Sequence, residues 1–398
     1  MKKEKAIKPA ILGGIPAFSE PIPITKPTMP DTDVILSRYK EIFKTGIITN
    51  AKYVKEFEAT AVKHLKVRNA IALSSCTCGL MLTMKCLELK GEVIIPSFTF
   101  HATAHAAVWN NLTPVFVDCQ SDTFNVCPEE VEKAITEKTS AILATHIFGN
   151  PSDIDALEKI AAKNKLALIF DAAHGFGASY KGKPVGGNGT ASVFSLSPTK
   201  LLTSAEGGIV TTNDDALAAK LKVARNYGDS GNYDCAFSGF NSRMSELHAI
   251  LGIESLGDLA KNVKRRQKSV EIYKELLRKL PGISFQKIKK GNQSSFKDFS
   301  IIVDADKFGL SRDSLSEALA KENIVVKKYF YPPVHRQKAF AKYCQGNIKK
   351  TFVNTESISQ TALSLPLYSH IEEKDIRKIC EALSRIYSSR KEIKEVIN

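Results

Sequence analysis

Two side chains, Lys200 and Asp171, stand at the ends of predicted strands, where chemistry in α/β proteins is often located. Asp171 directly follows residues 166–170, a continuous apolar run that is typical of a buried parallel strand. Lys200 closes residues 194–200, just beyond another predicted strand. A lysine amine forms a Schiff base with an aldehyde, and a carboxylate keeps a pyridine nitrogen protonated. The pair therefore predicts a pyridoxal phosphate site in which both residues are catalytic.

Each residue of this pair also has a simpler explanation when it is taken alone. An aspartate after a strand often caps a following helix, and this alternative stays open for Asp171. A lone lysine is usually a solvated surface amine, which is the alternative for Lys200. The combination favours a site, because open α/β sheets bind ligands at the carboxyl ends of their strands.

A loop of small polar residues could supply contacts to the phosphate. Residues 74–79 read Ser-Ser-Cys-Thr-Cys-Gly between a predicted strand and a predicted helix. Small residues let backbone N–H groups at a helix N-terminus approach an anion. The Ser195 hydroxyl, in the same segment as Lys200, is a further candidate phosphate ligand. Phe100 could stack on the pyridine ring, with core packing as the alternative.

The elements that must position these residues alternate along the chain. Apolar runs predict strands at residues 69–73, 92–95, 114–117, 141–145, 166–170, 191–194 and 208–212, with amphipathic helices between most of them. Such alternation predicts a mainly parallel sheet covered by helices on both faces. Residues 244–280 are predicted to be helical over much of their length, and shorter elements follow after about residue 282. We therefore expect a large cofactor-binding domain with an N-terminal arm (1–255) and a small C-terminal α+β domain (256–398).

Composition is that of a large soluble enzyme. The 398 residues are 43% hydrophobic and 25% charged, with a net charge of +14. The basic residues are dispersed and form no nucleic-acid-binding motif. Attraction of anionic nucleotides is an adequate explanation of the charge, and a generally lysine-rich composition is the alternative. The charged start, residues 1–5, has no following apolar segment, and no apolar run is long enough for a membrane span. Eight scattered cysteines without metal-ligand spacing predict reduced thiols, no metal site and a cytoplasmic location.

Taken together, the motifs resemble the DegT/DnrJ/EryC1/StrS family, the sugar-aminotransferase branch of the aspartate-aminotransferase-like fold type I enzymes. The resemblance runs almost from end to end. It is carried by residues 13–18, 45–50, 57–58, 74–79, 96–100, 114–118, 146–151, 171–174, 195–200, 206–208, 239–244, 331–335 and 365–368. It implies an α/β fold with a mainly parallel seven-stranded sheet in a large domain and a small C-terminal α+β domain.

The resemblance also assigns cofactor contacts. Lys200 stands at the Schiff-base lysine and Asp171 at the partner of the pyridine nitrogen, while Ser195, Thr77 and Cys78 match phosphate ligands and Phe100 the stacking ring. His174 takes a position usually held by a glutamine that contacts the cofactor's 3-hydroxyl; a packing histidine is the alternative. Cys76 and Cys78 replace residues that are often glycine, alanine or serine, and both are small enough to preserve the loop.

A shared active site is a further implication of the resemblance. Asn241 matches a residue that reaches the cofactor phosphate of the neighbouring subunit, so a homodimer is expected. Arg243 could add a cation there or form a surface ion pair. Thr49, Tyr331 and His335 lie in segments where sugar and nucleotide contacts are expected, although aromatic clusters also serve as core.

The activity implied is transfer of an amino group from L-glutamate to a nucleotide-linked keto-deoxy sugar, typically a 4-keto-6-deoxyhexose, by a ping-pong mechanism. A related branch carries histidine in place of the lysine and dehydrates its substrate, so Lys200 favours amino transfer. Two alternatives remain: another pyridoxal phosphate enzyme of the same fold, namely a sugar dehydratase or an amino-acid transaminase, and a non-catalytic regulatory homologue.

Overall fold

The computed structural model describes residues 8–344 and 351–397. Its strands are β1 Asn69–Leu73, β2 Glu92–Pro96, β3 Thr113–Val117, β4 Thr139–Thr145, β5 Ala167–Asp171, β6 Ser179–Tyr180, β7 Lys183–Pro184, β8 Ala191–Ser195, β9 Gly208–Thr212, β10 Ile283–Phe285, β11 Phe299–Val303 and β12 Ala362–Leu365. Its α-helices are α1 Thr32–Thr45, α2 Lys52–Leu65, α3 Cys76–Cys86, α4 His101–Trp109, α5 Pro128–Lys133, α6 Ile154–Asn164, α7 Asp215–Ala224, α8 Glu246–Gly257, α9 Leu259–Leu277, α10 Ala305–Phe308, α11 Arg312–Lys321, α12 Val353–Thr361, α13 Glu373–Ser388 and α14 Arg390–Ile397.

Seven strands form the central sheet in the order β1-β9-β8-β5-β4-β2-β3. The pairs from β8 through β5, β4 and β2 to β3 are parallel, whereas β9 runs antiparallel to both β1 and β8. The predicted mainly parallel α/β fold is confirmed. The reversed strand β9 follows β8 through a twelve-residue connection without an α-helix, residues 196–207. The chain therefore re-enters the sheet at the edge where β8 ends.

Helices cover both faces of this sheet, as its alternating side chains require. Phe170 contributes to an apolar layer with Phe57 of α2, and its neighbour Ile169 contributes to the opposite layer with Leu80 of α3. All four side chains are fully buried. Because β5 and β8 are parallel and Asp171 pairs with Val193, the residues that follow both strands emerge at the same edge.

The C-terminal region has its own core. Strands β10, β11 and β12 form an antiparallel sheet, and a cluster that includes Tyr273, Ile301, Leu319 and Leu383 packs around it. The N-terminal segment joins this cluster through Ile22, which bridges to Ile324. The predicted division at residue 255 falls inside α8, and the domain limits stay a prediction.

Two element boundaries differ from the sequence expectation in ways that bear on the site. The helix predicted to follow the loop 74–79 begins inside it, at Cys76, because the Ser75 hydroxyl caps it by accepting a hydrogen bond from the Cys78 amide at 3.1 Å. The region expected to be helical over 244–280 contains two helices, α8 and α9, which meet at Asp258.

None of the helices in the described ranges has the length and apolarity that a bilayer crossing requires. Residues 1–5, used above for the predicted location, lie outside the described residues.

Candidate active site

Asp171 is held rigidly at the end of β5. Its Oδ2 accepts a hydrogen bond from Thr103 Oγ1 at 2.8 Å, and its Oδ1 accepts one from the Ala173 amide at 3.1 Å. Thr103 lies on α4 and is oriented by Thr99, whose Oγ1 is 2.9 Å away. No helix follows Asp171 directly, so the helix-cap explanation does not apply. The carboxylate is only 8% exposed and faces a cavity with fixed orientation.

Burial is the largest influence on the protonation of Asp171 and raises its pKa. The hydrogen bonds from Thr103 and Ala173 and the positive charge of Lys200 act in the opposite direction. These interactions stabilise the ionised form, which is the form that can pair with a protonated ring nitrogen.

Lys200 lines the same cavity, a few residues after β8. Its pKa is lowered from 10.5 to about 8, first by burial and then by the charge of Lys297. Asp298, Cys76 and Asp171 act against this shift. A lowered pKa gives the amine a much larger neutral fraction near pH 7 than a surface lysine has, and only the neutral amine is a nucleophile and a base.

The N-terminus of α3 forms another part of the cavity wall. Its first backbone N–H groups have no acceptor within the helix. That of Cys78 donates to the Ser75 hydroxyl, which lies just before the helix. Gly208 allows β9 to lie close to the start of α3, because a Cβ at residue 208 would stand 2.5 Å from the Cys76 nitrogen. Thr77 lines the cavity, so uncommitted N–H groups and a hydroxyl are available to an anion.

These elements enclose a cavity of about 410 Å³. Besides Asp171, Lys200 and Thr77, the side chains around it include Phe100, His174, Ser195, Ser197, Glu206, Lys297, Asp298, Lys327 and Tyr329. An acid, an amine, an aromatic ring and an anion-binding helix terminus thus meet in one space. These residues fit pyridoxal phosphate: the helix terminus and Ser195 for its phosphate, Phe100 for its ring, Asp171 for its nitrogen and Lys200 for its aldehyde.

His174 also faces the cavity. Its ring lies nearly parallel to that of Phe148, with centroids 6.5 Å apart, and Ser295 Oγ donates to its carbonyl at 2.7 Å. Burial holds the pKa of His174 well below its usual value, and the charges of Lys200 and Lys297 lower it further. The imidazole is therefore neutral at physiological pH and can offer one N–H donor to a ligand.

Six predicted site residues do not line this cavity. Cys78 is one of them: its amide donates to Ser75 Oγ, and its contact to the phosphate stays a prediction. His335 is another, and the remaining four are Thr49, Arg243, Tyr331 and Asn241. Thr49 Oγ1 donates to the Met244 carbonyl at 3.2 Å, Arg243 Nη1 donates to Asn226 Oδ1, and Tyr331 is exposed beside Arg312. Asn241 is exposed on the surface. Their proposed roles require a partner subunit or a large substrate, and they stay predictions.

His335 occupies a different place from the one expected. Its Nδ1 is 2.5 Å from Ser97 Oγ and its Nε2 is 2.7 Å from Glu356 Oε1, so it joins the end of β2 to α12. It borders a separate depression of about 620 Å³. Nothing in this position brings His335 to Lys200, and its substrate role stays a prediction.

Several residues at the site were not singled out by the sequence. Thr103 stands four residues after Thr99, which lies just before α4, so the contact between the two is local in the sequence. Lys297, Asp298 and Tyr329 come from the segment before β11 and from residues after α11. Only the packing of the C-terminal region against the large sheet brings them to Lys200.

A mainly parallel sheet with a lysine and a buried carboxylate at its carboxyl edge defines a fold type I, pyridoxal-phosphate-dependent aminotransferase. The chain belongs to the DegT/DnrJ/EryC1/StrS aminotransferase family, whose sequence profile matches residues 31–384. It is a sugar aminotransferase of that family, and pyridoxal phosphate is its cofactor.

Named relatives support this placement. The dTDP-4-amino-4,6-dideoxy-D-glucose transaminase of Escherichia coli is 31% identical over 364 residues, which cover 91% of this chain and 98% of that protein. A pleiotropic regulatory protein of Geobacillus stearothermophilus is 32% identical over 354 residues, covering 87% and 92% of the two chains. The crystal structure of DesI in the presence of its TDP-sugar product has a TM-score of 0.92 at 33% identity, covering 98% of this chain and 99% of that one.

Proposed function

We propose that the enzyme transfers an amino group from L-glutamate to a nucleotide-linked keto-deoxy sugar, with a 4-keto-6-deoxyhexose as the acceptor. The observation that carries the proposal is the lysine at position 200, whose amine shares one cavity with Asp171. A lysine there favours amino transfer over dehydration. The name of the E. coli relative, dTDP-4-amino-4,6-dideoxy-D-glucose transaminase, and the TDP-sugar product present with DesI support the class of acceptor.

When bound, pyridoxal phosphate supplies an electron sink for the carbon that gains or loses the amine. In our proposal, the Lys200 Nζ holds the cofactor at rest and then carries a proton to and from the reacting carbon. Asp171, fixed by Thr103 and Ala173, keeps a positive charge on the ring nitrogen favourable. The α3 terminus, Thr77 and Ser195 hold the phosphate. The donor product leaves before the sugar enters, which makes the kinetics ping-pong.

The active form in this proposal is a homodimer. Large apolar side chains are exposed along α1 and the residues that follow it: Val34, Leu36, Phe43, Ile47 and Ile48. An exposed apolar surface of this kind is typical of a protein interface. Phe100, which lines the cavity, is also 49% exposed, as expected if a second subunit completes the site. Equilibrium sedimentation at micromolar concentration tests this point, since a monomer would contradict it.

A cytoplasmic location is part of the proposal. All eight cysteines are free thiols in the structure. This state suits a reducing compartment, in which disulfides are rare. An acceptor made in the cytoplasm from an activated nucleotide sugar would be available there.

The substrate pair is tested by incubating the purified holoenzyme with L-glutamate and a panel of nucleotide keto sugars. We expect an amino sugar and an equal amount of 2-oxoglutarate, identified by mass spectrometry and NMR. A product that lacks nitrogen would favour the dehydratase, and turnover only with 2-oxo acids would favour an amino-acid transaminase. Cofactor binding without turnover on any acceptor would favour a regulatory role, which the name of the Geobacillus relative brings into consideration.

A further inference from the structure

Four residues that line the cavity contact no part of the cofactor in the arrangement proposed above. They are Lys297, Asp298, Lys327 and Tyr329, and we call them the lysine wall. Lys297 and Asp298 are almost fully buried and form an ion pair with Nζ and Oδ1 2.8 Å apart. The Lys297 Nζ lies 5.5 Å from the centroid of the Tyr329 ring, and the Lys327 Nζ lies 5.8 Å from the same centroid. Two ammonium groups thus flank one phenol ring.

The depths of the two lysines differ. Lys297 is 4% exposed and lies deep in the cavity, where its charge acts on both Lys200 and His174. Lys327 is exposed and marks the mouth. The cavity therefore offers one cation beside the reacting amine and a second cation nearer the solvent.

The charges of the wall are only partly balanced. Asp298 neutralises Lys297 but leaves two of the three ammonium N–H bonds for other acceptors. Lys327 makes no ion pair with any carboxylate in residues 8–344 and 351–397. No arginine among the described residues of the same subunit lines the cavity, so the carboxylate partners that one subunit supplies there are lysines.

An amino donor places strict demands on such a surface. Its α-carboxylate is attached to the carbon that carries the amine, so the cation that binds this carboxylate must lie next to Lys200. A second carboxylate on the side chain must meet a cation farther out. Lys297 is the cation beside Lys200, and Lys327 is the cation farther out. The Tyr329 ring lies between them and can contact the methylene groups that connect the two carboxylates.

We propose that Lys297 binds the α-carboxylate of the amino donor and Lys327 its distal carboxylate, so that the lysine wall selects a dicarboxylic amino acid. This inference rests on the proposed function, because it concerns the donor of that reaction. Binding of the nucleotide diphosphate by Lys327 is the competing assignment, and the test below separates the two.

The test compares Lys327→Gln with the matched control Lys328→Gln in the holoenzyme. Lys328 is the adjacent lysine but pairs with Asp313 at 2.5 Å and does not line the cavity. Lys327 is preferable to Lys297 as the first target, because removing Lys297 leaves Asp298 buried without a partner and endangers folding. The donor half-reaction is followed alone through the absorbance of the bound cofactor, with L-glutamate and with L-alanine.

We expect Lys327→Gln to raise the half-saturating concentration of L-glutamate by roughly ten-fold, since one charge-assisted contact is lost. L-Alanine, which lacks the distal carboxylate, should change less than about two-fold, and Lys328→Gln should leave both values unchanged. An equal effect on both amino acids would overturn the proposal. So would an effect confined to the keto-sugar half-reaction, which would assign Lys327 to the nucleotide diphosphate.

A binding measurement keeps the inference separate from the proposed activity. Calorimetric titration of the holoenzyme with glutarate and with pentanoate compares two carboxylates with one on the same five-carbon chain. We expect wild-type protein to prefer glutarate and Lys327→Gln to lose this preference. Equal binding of both acids by the wild type would overturn the inference. Failure of all amino acids as donors would instead overturn the proposed function, while glutarate binding would still decide the role of the lysine wall.

Discussion

Replacing Lys200 by arginine is expected to lower kcat by roughly 10⁴-fold or more, because both covalent attachment and proton transfer are lost. Arginine keeps the positive charge and the length of the side chain but stays protonated at every physiological pH. The lysine amine, in contrast, has a pKa of about 8 in this cavity and loses its proton readily. Steady-state amino transfer from L-glutamate measures the loss.

The control experiment shows whether Lys200→Arg keeps the wild-type fold. Circular dichroism and thermal unfolding should match the wild type, and the variant should still bind pyridoxal phosphate through the phosphate contacts at α3. If Lys200→Arg turned over within ten-fold of the wild type, the lysine would not be the proton carrier, and the proposed mechanism would have to be abandoned.

Asp171→Asn is the substitution with the second largest expected effect, a fall in kcat of roughly 10²- to 10³-fold. The amide has the shape of the carboxylate and can still accept from Thr103, but it carries no charge to favour a protonated ring nitrogen. Binding of the cofactor should weaken much less than turnover. Equal losses of binding and turnover would instead indicate that Asp171 is only a structural contact.

Thr103→Val provides the matched control, because it removes a hydrogen bond to Asp171 and keeps the charge. The hydrogen bond lowers the pKa of Asp171, whereas burial raises it. Without it the pKa rises further, so activity that depends on the ionised carboxylate should be lost at a higher pH than in the wild type. A profile of kcat against pH checks this: the acid limb should move upward in Thr103→Val, with activity near pH 8 reduced by roughly ten-fold or less.

The large sheet was predictable from the sequence because its signals are local. Strands β1 and β9 have the expected bounds, and the other strands of the large sheet differ by one or two residues at an end. Continuous apolar runs indicate strands that are buried on both faces of the sheet. Asp171 ends the apolar run 166–170 at the point where the strand meets the cavity. The antiparallel direction of β9 has no such signal, since it depends on the path of residues 196–207.

The site was predictable where residues follow strands and much less so where it depends on packing between regions. Lys200, Asp171, Thr77, Ser195, His174 and Phe100 all belong to segments next to strands of the large sheet, and the structure places them around one cavity. Lys297 and Tyr329 belong to the C-terminal region, and no spacing in the sequence predicts that they lie near Lys200. His335 was grouped with neighbouring aromatic residues, yet its short turn packs between Ser97 and Glu356.

The most direct test of the account is to find which amine holds the cofactor. Among the residues that the structure describes, three lysines line the cavity, Lys200, Lys297 and Lys327, so the chain contains its own controls. The holoenzyme is reduced with borohydride, digested, and its peptides are sequenced by mass spectrometry. The account predicts a pyridoxyl group on Lys200 and none on the other two lysines. A pyridoxyl group on Lys297 or Lys327, or an unmodified Lys200 in a cofactor-loaded sample, would contradict it.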